Sequence, residues 1–148
     1  MNSKKEGMTL IVKTITRLTV VLIILYALYI TFHGHLTPGG GFAGGVILAL
    51  SFVHIVIAFG KNFAVKNFTG TVSSILESVG ALVFLSIAIL GFFSGAFFKN
   101  FLGKGEIFNL FSGGIILPSN LAIMLKVGFG MFSAFLCLIF FKTKEKDK

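Results

Sequence analysis

The sequence predicts an all-α, polytopic membrane protein with four transmembrane helices and both termini in the cytoplasm. Three observations support this fold class. The 148 residues are 55% hydrophobic and only 12% charged, whereas soluble domains carry about a quarter charged residues. Mean hydropathy is high, at +0.98. Four segments each supply the ~20 mainly apolar residues that cross a bilayer, and we expect them to form one membrane domain over residues 1–148: Leu10–Phe32, Pro38–Gly60, Ser74–Phe98 and Ser119–Phe141.

The basic residues are distributed unevenly between the two sides of this predicted bundle. They cluster before or at the start of span one, between spans two and three, and after span four, whereas the other connections hold only Lys99 and Lys104. Positively charged loops stay in the cytoplasm, so both termini are expected on that side of the cell membrane. The same asymmetry accounts for the net charge of +8, which indicates contact with anionic lipid and no nucleic-acid partner.

Span one begins with two cations one helical turn apart, Lys13 and Arg17. Their long apolar stems can lie along the helix while their charges reach the lipid headgroups. We therefore expect them at the inner membrane surface.

Residues 34–45, which join spans one and two, read GHLTPGGGFAGG. Thr37 is expected to cap the second helix and Pro38 to occupy its first position, which makes the two spans an antiparallel hairpin. Small residues at G-x-x-x-G spacing let another membrane helix approach closely, so this face is expected to be a helix contact, with a merely flexible loop as the alternative. Two overlapping pairs have this spacing: Gly40 with Gly44, and Gly41 with Gly45.

Three of these glycines also match G-x-G-x-x-G, the spacing of a dinucleotide-binding loop: Gly39, Gly41 and Gly44. That fingerprint requires a preceding strand and an acidic residue about 20 residues later. A membrane helix precedes the glycines here, and the next acidic residue is Glu77. Nucleotide binding is therefore not predicted.

The same stretch resembles the signature G-H-x-x-P-G-G-G-F-x-G-G of the B subunit of Mrp-type multisubunit sodium/proton antiporters, the MnhB/MrpB family. The matching residues are Gly34, His35, Pro38, Gly39, Gly40, Gly41, Phe42, Gly44 and Gly45. The resemblance extends to the chain length, the four spans and the place of the motif after span one. It implies an accessory subunit of a Na⁺/H⁺ antiporter, packed beside larger antiporter-like subunits, that is not itself an enzyme and needs no cofactor. Membrane-bound hydrogenases and related respiratory complexes carry the same module, so the sequence leaves open which complex the chain joins and which cation moves.

Three ionisable residues within the predicted spans are candidates for an ion or proton pathway, because such residues are costly inside a membrane. His54 lies about 9 Å from the inner end of span two and could relay protons; a hydrogen bond to a neighbouring subunit is the alternative. Glu77 opens span three and is expected to form a capping box with Ser74, although a carboxylate there could also bind an entering cation.

Lys126 is the third candidate and lies about seven residues into span four, between apolar segments. An unpaired charge is costly there, so the lysine is expected to pair with a carboxylate or to line a hydrated route. A lysine that snorkels to the headgroups is the alternative. Glu77 is expected near the opposite membrane face, and we therefore predict that the carboxylate belongs to another chain.

The connection Lys99–Pro118 is longer and mixed in composition. Apolar residues at helical spacing predict a short helix on the membrane surface or against a partner subunit: Ile107, Phe108, Leu110 and Phe111.

The remaining function classes are disfavoured by what the sequence lacks. It offers no Ser/His/Asp set of plausible geometry, no paired carboxylates within a span and no metal-ligand cluster, and the single cysteine, Cys137, excludes an intrachain disulfide. A stand-alone four-helix exporter is disfavoured because span one carries no carboxylate. A passive scaffold stays open. The expected partners are other subunits of the complex, the lipid bilayer and the ions Na⁺ and H⁺.

Overall fold

The computed structural model describes residues 7–60, 63, 70–102, 105 and 110–146, and this part of the chain forms four long α-helices and no strand. Each helix contains a stretch long and apolar enough to cross a bilayer, which confirms the predicted four-helix membrane fold. In chain order the helices are α1, Leu10–Phe32; α2, Gly41–Phe59; α3, Gly70–Leu90; and α4, Ile116–Lys146.

Helix α4 lies at the centre and contacts α1, α2 and α3. It runs parallel to α2, because Gly41 at the start of α2 faces Asn120 near the start of α4, and Val56 near the end of α2 packs on Leu136. Helices α1 and α3 run in the opposite direction. Both ends of the described chain therefore lie at one end of the bundle, where Met8 donates a backbone hydrogen bond to a carbonyl in the last turn of α2. That this end is cytoplasmic stays a prediction from the charge distribution.

The core follows the contact between α2 and α4. One buried cluster consists of Val56, Leu136 and the fully buried Phe132. A second, nearer the start of α2, joins residues from three helices: Ala27, Leu48 and Met124. Large apolar side chains elsewhere point outward along all four helices, as expected where lipid or other membrane subunits replace water.

The prediction that Thr37 caps α2 is wrong. The helix begins at Gly41, and the two residues before it have positive φ angles, +148° at Gly39 and +85° at Gly40. Only glycine adopts such angles without strain, so the chain turns there and cannot be helical from Pro38. The Thr37 hydroxyl donates instead to the carbonyl of His33, 3.2 Å away.

The predicted capping box of Ser74 and Glu77 is also wrong. Helix α3 begins at Gly70, so both residues lie beyond its first turn, where backbone N–H groups are already paired within the helix. The helix ends at Leu90 and continues as a 3-10 helix, Gly91–Ser94. Its membrane segment therefore starts and ends about four residues earlier than the sequence suggested.

Helix α4 begins three residues before the predicted span. Pro118 falls in its first turn. Backbone N–H groups there have no acceptor within the helix, so the N–H that proline lacks costs no hydrogen bond. Asn100 fixes the preceding connection, because its Oδ1 accepts backbone hydrogen bonds from Leu102 and Ile115 at 3.2 and 3.3 Å. A 3-10 helix covers Leu110–Gly113, and the rest of the predicted surface helix, including Ile107 and Phe108, lies outside the described residues.

Candidate functional site

The glycines at the start of α2 place it against α4. A Cβ built on Gly45 would lie 2.8 Å from Val127 Cβ and 3.0 Å from the carbonyl oxygen of Met124. One built on Gly41 would collide with the backbone oxygen of Asn120. Ordinary carbon contacts are 3.5–4.0 Å, so at both positions glycine is what lets the two helices approach this closely.

Gly44 faces α1 instead. Its Cβ would collide with Thr31 Oγ1 and would lie 2.9 Å from the carbonyl oxygen of Ala27. The Thr31 hydroxyl is fully buried and donates to that same carbonyl at 2.8 Å, with Met124 Sδ 3.1 Å away. The small-residue face of α2 is therefore used within this chain, where it brings α1, α2 and α4 together.

Other motif residues shape the turn between α1 and α2. A Cβ on Gly34 would collide with Gly40 and would lie 2.7 Å from the side-chain nitrogen of Asn120. The half-buried ring of His35 lies against Gly113, whose Cβ would be 3.0 Å from His35 Cγ. The turn is thus packed against the last residues before α4 and against the first turns of α4 itself. We call this end of the bundle the motif end.

Three motif residues lie on its surface. Pro38 and Gly39 are exposed in the turn. Phe42, in the first turn of α2, is 65% exposed, and a phenyl ring in this position is available to lipid or to another subunit.

Glu77 on α3 and Lys126 on α4 form an ion pair. Lys126 Nζ donates to Glu77 Oε1 at 3.5 Å. Glu77 lies about 10 Å from the start of α3. Lys126 lies about 15 Å from the start of α4, and α4 starts at the end of the bundle opposite the start of α3. The membrane segments of these helices are each about 36 Å long, so the pair lies well inside them.

The prediction that the carboxylate partner of Lys126 belongs to another chain is therefore wrong. It depended on placing Glu77 at the inner membrane face. Because α3 begins at Gly70, four residues before the predicted start, the carboxylate lies about one turn deeper than expected, where the Lys126 side chain reaches it from the other side.

Two glycines let α3 and α4 meet at the pair. A Cβ on Gly80 would lie 2.8 Å from the backbone nitrogen of Lys126 and 2.9 Å from the carbonyl oxygen of Ala122. One on Gly130 would lie 3.3 Å from the Glu77 carboxyl carbon. Each glycine lies one helical turn after a charged residue, Gly80 after Glu77 and Gly130 after Lys126, so each shares a helix face with that charge. This spacing is a sequence signal for the contact that had not been recognised.

The pair opens onto the surface of the bundle. The Lys126 side chain is 53% exposed and that of Glu77 35%. At this depth an exposed charge faces lipid hydrocarbon unless water or another subunit covers it, and charged residues in membrane segments mark functional sites for that reason.

Two serines extend the polar contact of α3 with α4 toward the start of α3. Ser133 Oγ donates to Ser73 Oγ at 2.8 Å, and Ser73 Oγ donates to the carbonyl oxygen of Phe129 at 3.1 Å. Ser73 lies one turn before Glu77. This contact could not be predicted from the sequence, because single serines are ordinary in membrane helices.

His54 lies in a different helix contact. Its Nε2 is 3.2 Å from Thr16 Oγ1 on α1, in a hydrogen bond whose direction depends on the tautomer. Thr16 is only 1% exposed, while the imidazole is half-buried. Of the three predicted pathway residues, the structure brings Glu77 and Lys126 together and leaves His54 between α1 and α2.

Polar side chains from both helices meet at the contact of α3 with α4. The contact of α3 with α4 offers a carboxylate, an ammonium group and two hydroxyls, which can exchange protons or supply oxygen ligands. Among the residues that the structure describes, no three His, Cys, Asp or Glu side chains lie close enough to hold a metal ion.

Residues 11–133 match a family model described as a domain related to the MnhB subunit of Na⁺/H⁺ antiporter. An uncharacterized protein of Methanocaldococcus jannaschii is 35% identical over 121 residues, which cover 77% of this chain and 46% of that protein. A protein of Staphylococcus aureus strain Newman, named as antiporter subunit mnhB2, is 34% identical over 96 residues, or 65% of each chain.

Among solved structures, a chain of the membrane-bound sulfane sulfur reductase, an archaeal respiratory membrane complex, is similar in fold and sequence. The TM-score is 0.71 and the identity 28%, over 91% of this chain and 62% of that chain. The present chain therefore spans between about half and two thirds of the length of these relatives.

Proposed function

Because this chain belongs to the MnhB family, we propose that it is an accessory membrane subunit of a multisubunit antiporter that exchanges a monovalent cation, Na⁺, for protons. The family match over residues 11–133 and the similarity to antiporter subunit mnhB2 support this proposal. The four apolar helices fit a multi-pass subunit of the cell membrane. We assign the chain a part in transport and no catalytic reaction of its own.

The second candidate is the same module within a membrane-bound respiratory complex of the hydrogenase type. The observation that favours it is the similarity to a chain of the sulfane sulfur reductase complex. Genes for antiporter subunits alone beside the gene for this chain would support the antiporter. Adjoining hydrogenase or reductase genes would support the respiratory complex.

The ion pair of Glu77 and Lys126 is the observation that supports a direct role of this chain in transport. The Lys126 ammonium group lies 3.5 Å from the Glu77 carboxylate within the membrane segments of α3 and α4, and in this proposal it is the counter-ion of that carboxylate. A Na⁺ or H⁺ that reaches the carboxylate competes with the ammonium group, and each arrival weakens the ion pair. A pair of this kind can bind and release cations alternately, as an exchange mechanism requires.

Neutralising each partner tests this role against a merely structural one. Lys126→Met removes the charge and keeps most of the stem, whereas Lys126→Arg keeps the charge. We expect the methionine variant to assemble with the other subunits on native gels and to lose most Na⁺-dependent proton exchange in inverted vesicles. The arginine variant is expected to retain more exchange. Lys99→Met makes the same change outside the four helices and should leave exchange unchanged.

The double variant Glu77→Gln/Lys126→Met separates the two roles. Replacing both partners of an ion pair removes the cost of leaving one charge unpaired. If the pair only stabilises the fold, Lys126→Met alone loses assembly and the double variant recovers both assembly and exchange. The proposed role predicts that both variants assemble and that neither exchanges, and normal exchange in the double variant would contradict it.

A further inference from the structure

A groove of about 360 Å³ lies between α1 and α2, away from the ion pair. It is almost wholly apolar and is lined by Val20, Val21, Ile55, Phe59 and Phe63, with Thr16 and Arg17 as its polar members. Phe59 is the last residue of α2, and Arg17 lies in the second turn of α1. The groove therefore begins at the end of the bundle opposite the motif end and extends toward the membrane interior.

Two cationic side chains of α1 lie over the Phe59 ring, at the end of the bundle where the groove begins. Arg17 Cζ lies 5.4 Å and Lys13 Nζ 5.9 Å from the centroid of the Phe59 ring. The two residues are one helical turn apart on α1, and Arg17 lies about 10 Å from the start of that helix. Its long side chain reaches back to Phe59 at the end of α2, so its charge lies nearer the lipid headgroups than its backbone does. Contact with the face of a ring uses none of the five guanidinium N–H donors, whose fork matches a phosphate group.

We propose that this groove binds one anionic phospholipid. Its phosphate lies between Arg17 and Lys13, and one acyl chain follows the apolar wall formed by Val20, Val21 and Ile55. The two cations favour a lipid with net negative charge over a zwitterionic one. The apolar wall below them favours a lipid over free phosphate, which would contact the cations alone.

Lipid binding to the purified complex tests the proposal. The complex is depleted of lipid in detergent and titrated with phosphatidylglycerol or phosphatidylcholine, and the bound lipid is counted by native mass spectrometry. We expect tighter binding of phosphatidylglycerol. Each cation near an anionic lipid contributes about a fivefold change in affinity, so Arg17→Gln and Lys13→Gln should each weaken that binding about fivefold.

A third variant separates groove binding from general surface attraction. Val21→Trp leaves the charge unchanged and fills the groove, and it should weaken phosphatidylglycerol binding while native gels show normal assembly. Lys99→Gln, at the motif end, removes one positive charge far from the groove and should bind the lipid as the unaltered chain does.

Several results would overturn the proposal. One is unchanged phosphatidylglycerol affinity in both α1 charge variants, and another is unchanged affinity in Val21→Trp. Displacement of the lipid by an equal concentration of inorganic phosphate would reveal a site for phosphate alone. A photo-reactive residue at position 21 that cross-links to another subunit would show that a protein helix fills the groove. None of these readouts depends on ion exchange, so the inference and the proposed function can fail separately.

Discussion

Gly45→Ala is the smallest change that tests the packing of α2 on α4. The added Cβ would lie 2.8 Å from Val127 Cβ and 3.0 Å from the carbonyl oxygen of Met124. Restoring an ordinary contact of 3.5–4.0 Å requires the helices to separate by about 1 Å. Overpacking of this kind costs about 1–3 kcal/mol, which opposes the gain of about 1 kcal/mol from replacing a helical glycine by alanine.

Gly70→Ala is the matched control, because a Cβ there meets no atom of the described residues within 4 Å. Because Gly70 is the first residue of α3, alanine gains less helix propensity there than at Gly45, and a lower melting temperature of Gly45→Ala than of Gly70→Ala therefore reports the steric cost. A difference of about 2 kcal/mol corresponds to about 4–8 °C in melting temperature for a chain of this size. The assay is the apparent melting temperature of the complex, followed by size-exclusion chromatography after heating. Equal melting temperatures for the two variants would refute the close-approach argument.

Two further predictions concern the motif end and the orientation of the chain. Thr31→Ala should partly restore the stability lost in Gly44→Ala, since it removes the hydroxyl that the new Cβ would strike. It should not restore the stability lost in Gly45→Ala. A double-mutant cycle of melting temperatures measures the difference between the two cases. Cysteines placed in the turn at residues 35–39 should react with a membrane-impermeant thiol reagent from outside the cell. A cysteine near Lys144 should react only from inside. Labelling of both positions from one side would contradict the predicted orientation.

The fold was predictable because its main signal is the length of apolar segments. Four stretches near 20 residues indicate four membrane helices whatever their neighbours are. The helix ends were less predictable, since they depend on local backbone geometry. Thr37 and Pro38 fit the composition of a helix start, yet the positive φ angles of Gly39 and Gly40 postpone the helix to Gly41.

The candidate site shows how such an error at a helix end affects a functional prediction. Glu77 and Lys126 could both be selected from the sequence, because charges inside apolar segments are costly. Their pairing could not be predicted, because it depends on where α3 begins. A start four residues earlier than Ser74 moves the carboxylate deeper, and Gly80 and Gly130 then let the two helices meet at that depth.

The glycine motif and the ion pair are connected through α4. Gly41 and Gly45 fix one side of this helix against α2, and Gly80 fixes the other side against α3 beside Lys126. Asn120, which Gly41 contacts, is six residues from Lys126, or about 9 Å along a helix. Because packed helices move as rigid elements, a side chain that displaces α4 at the motif end also changes the distance between Lys126 and its carboxylate. Under the proposed transport role, the motif influences ion exchange without contacting an ion, by holding α4 where its lysine reaches α3.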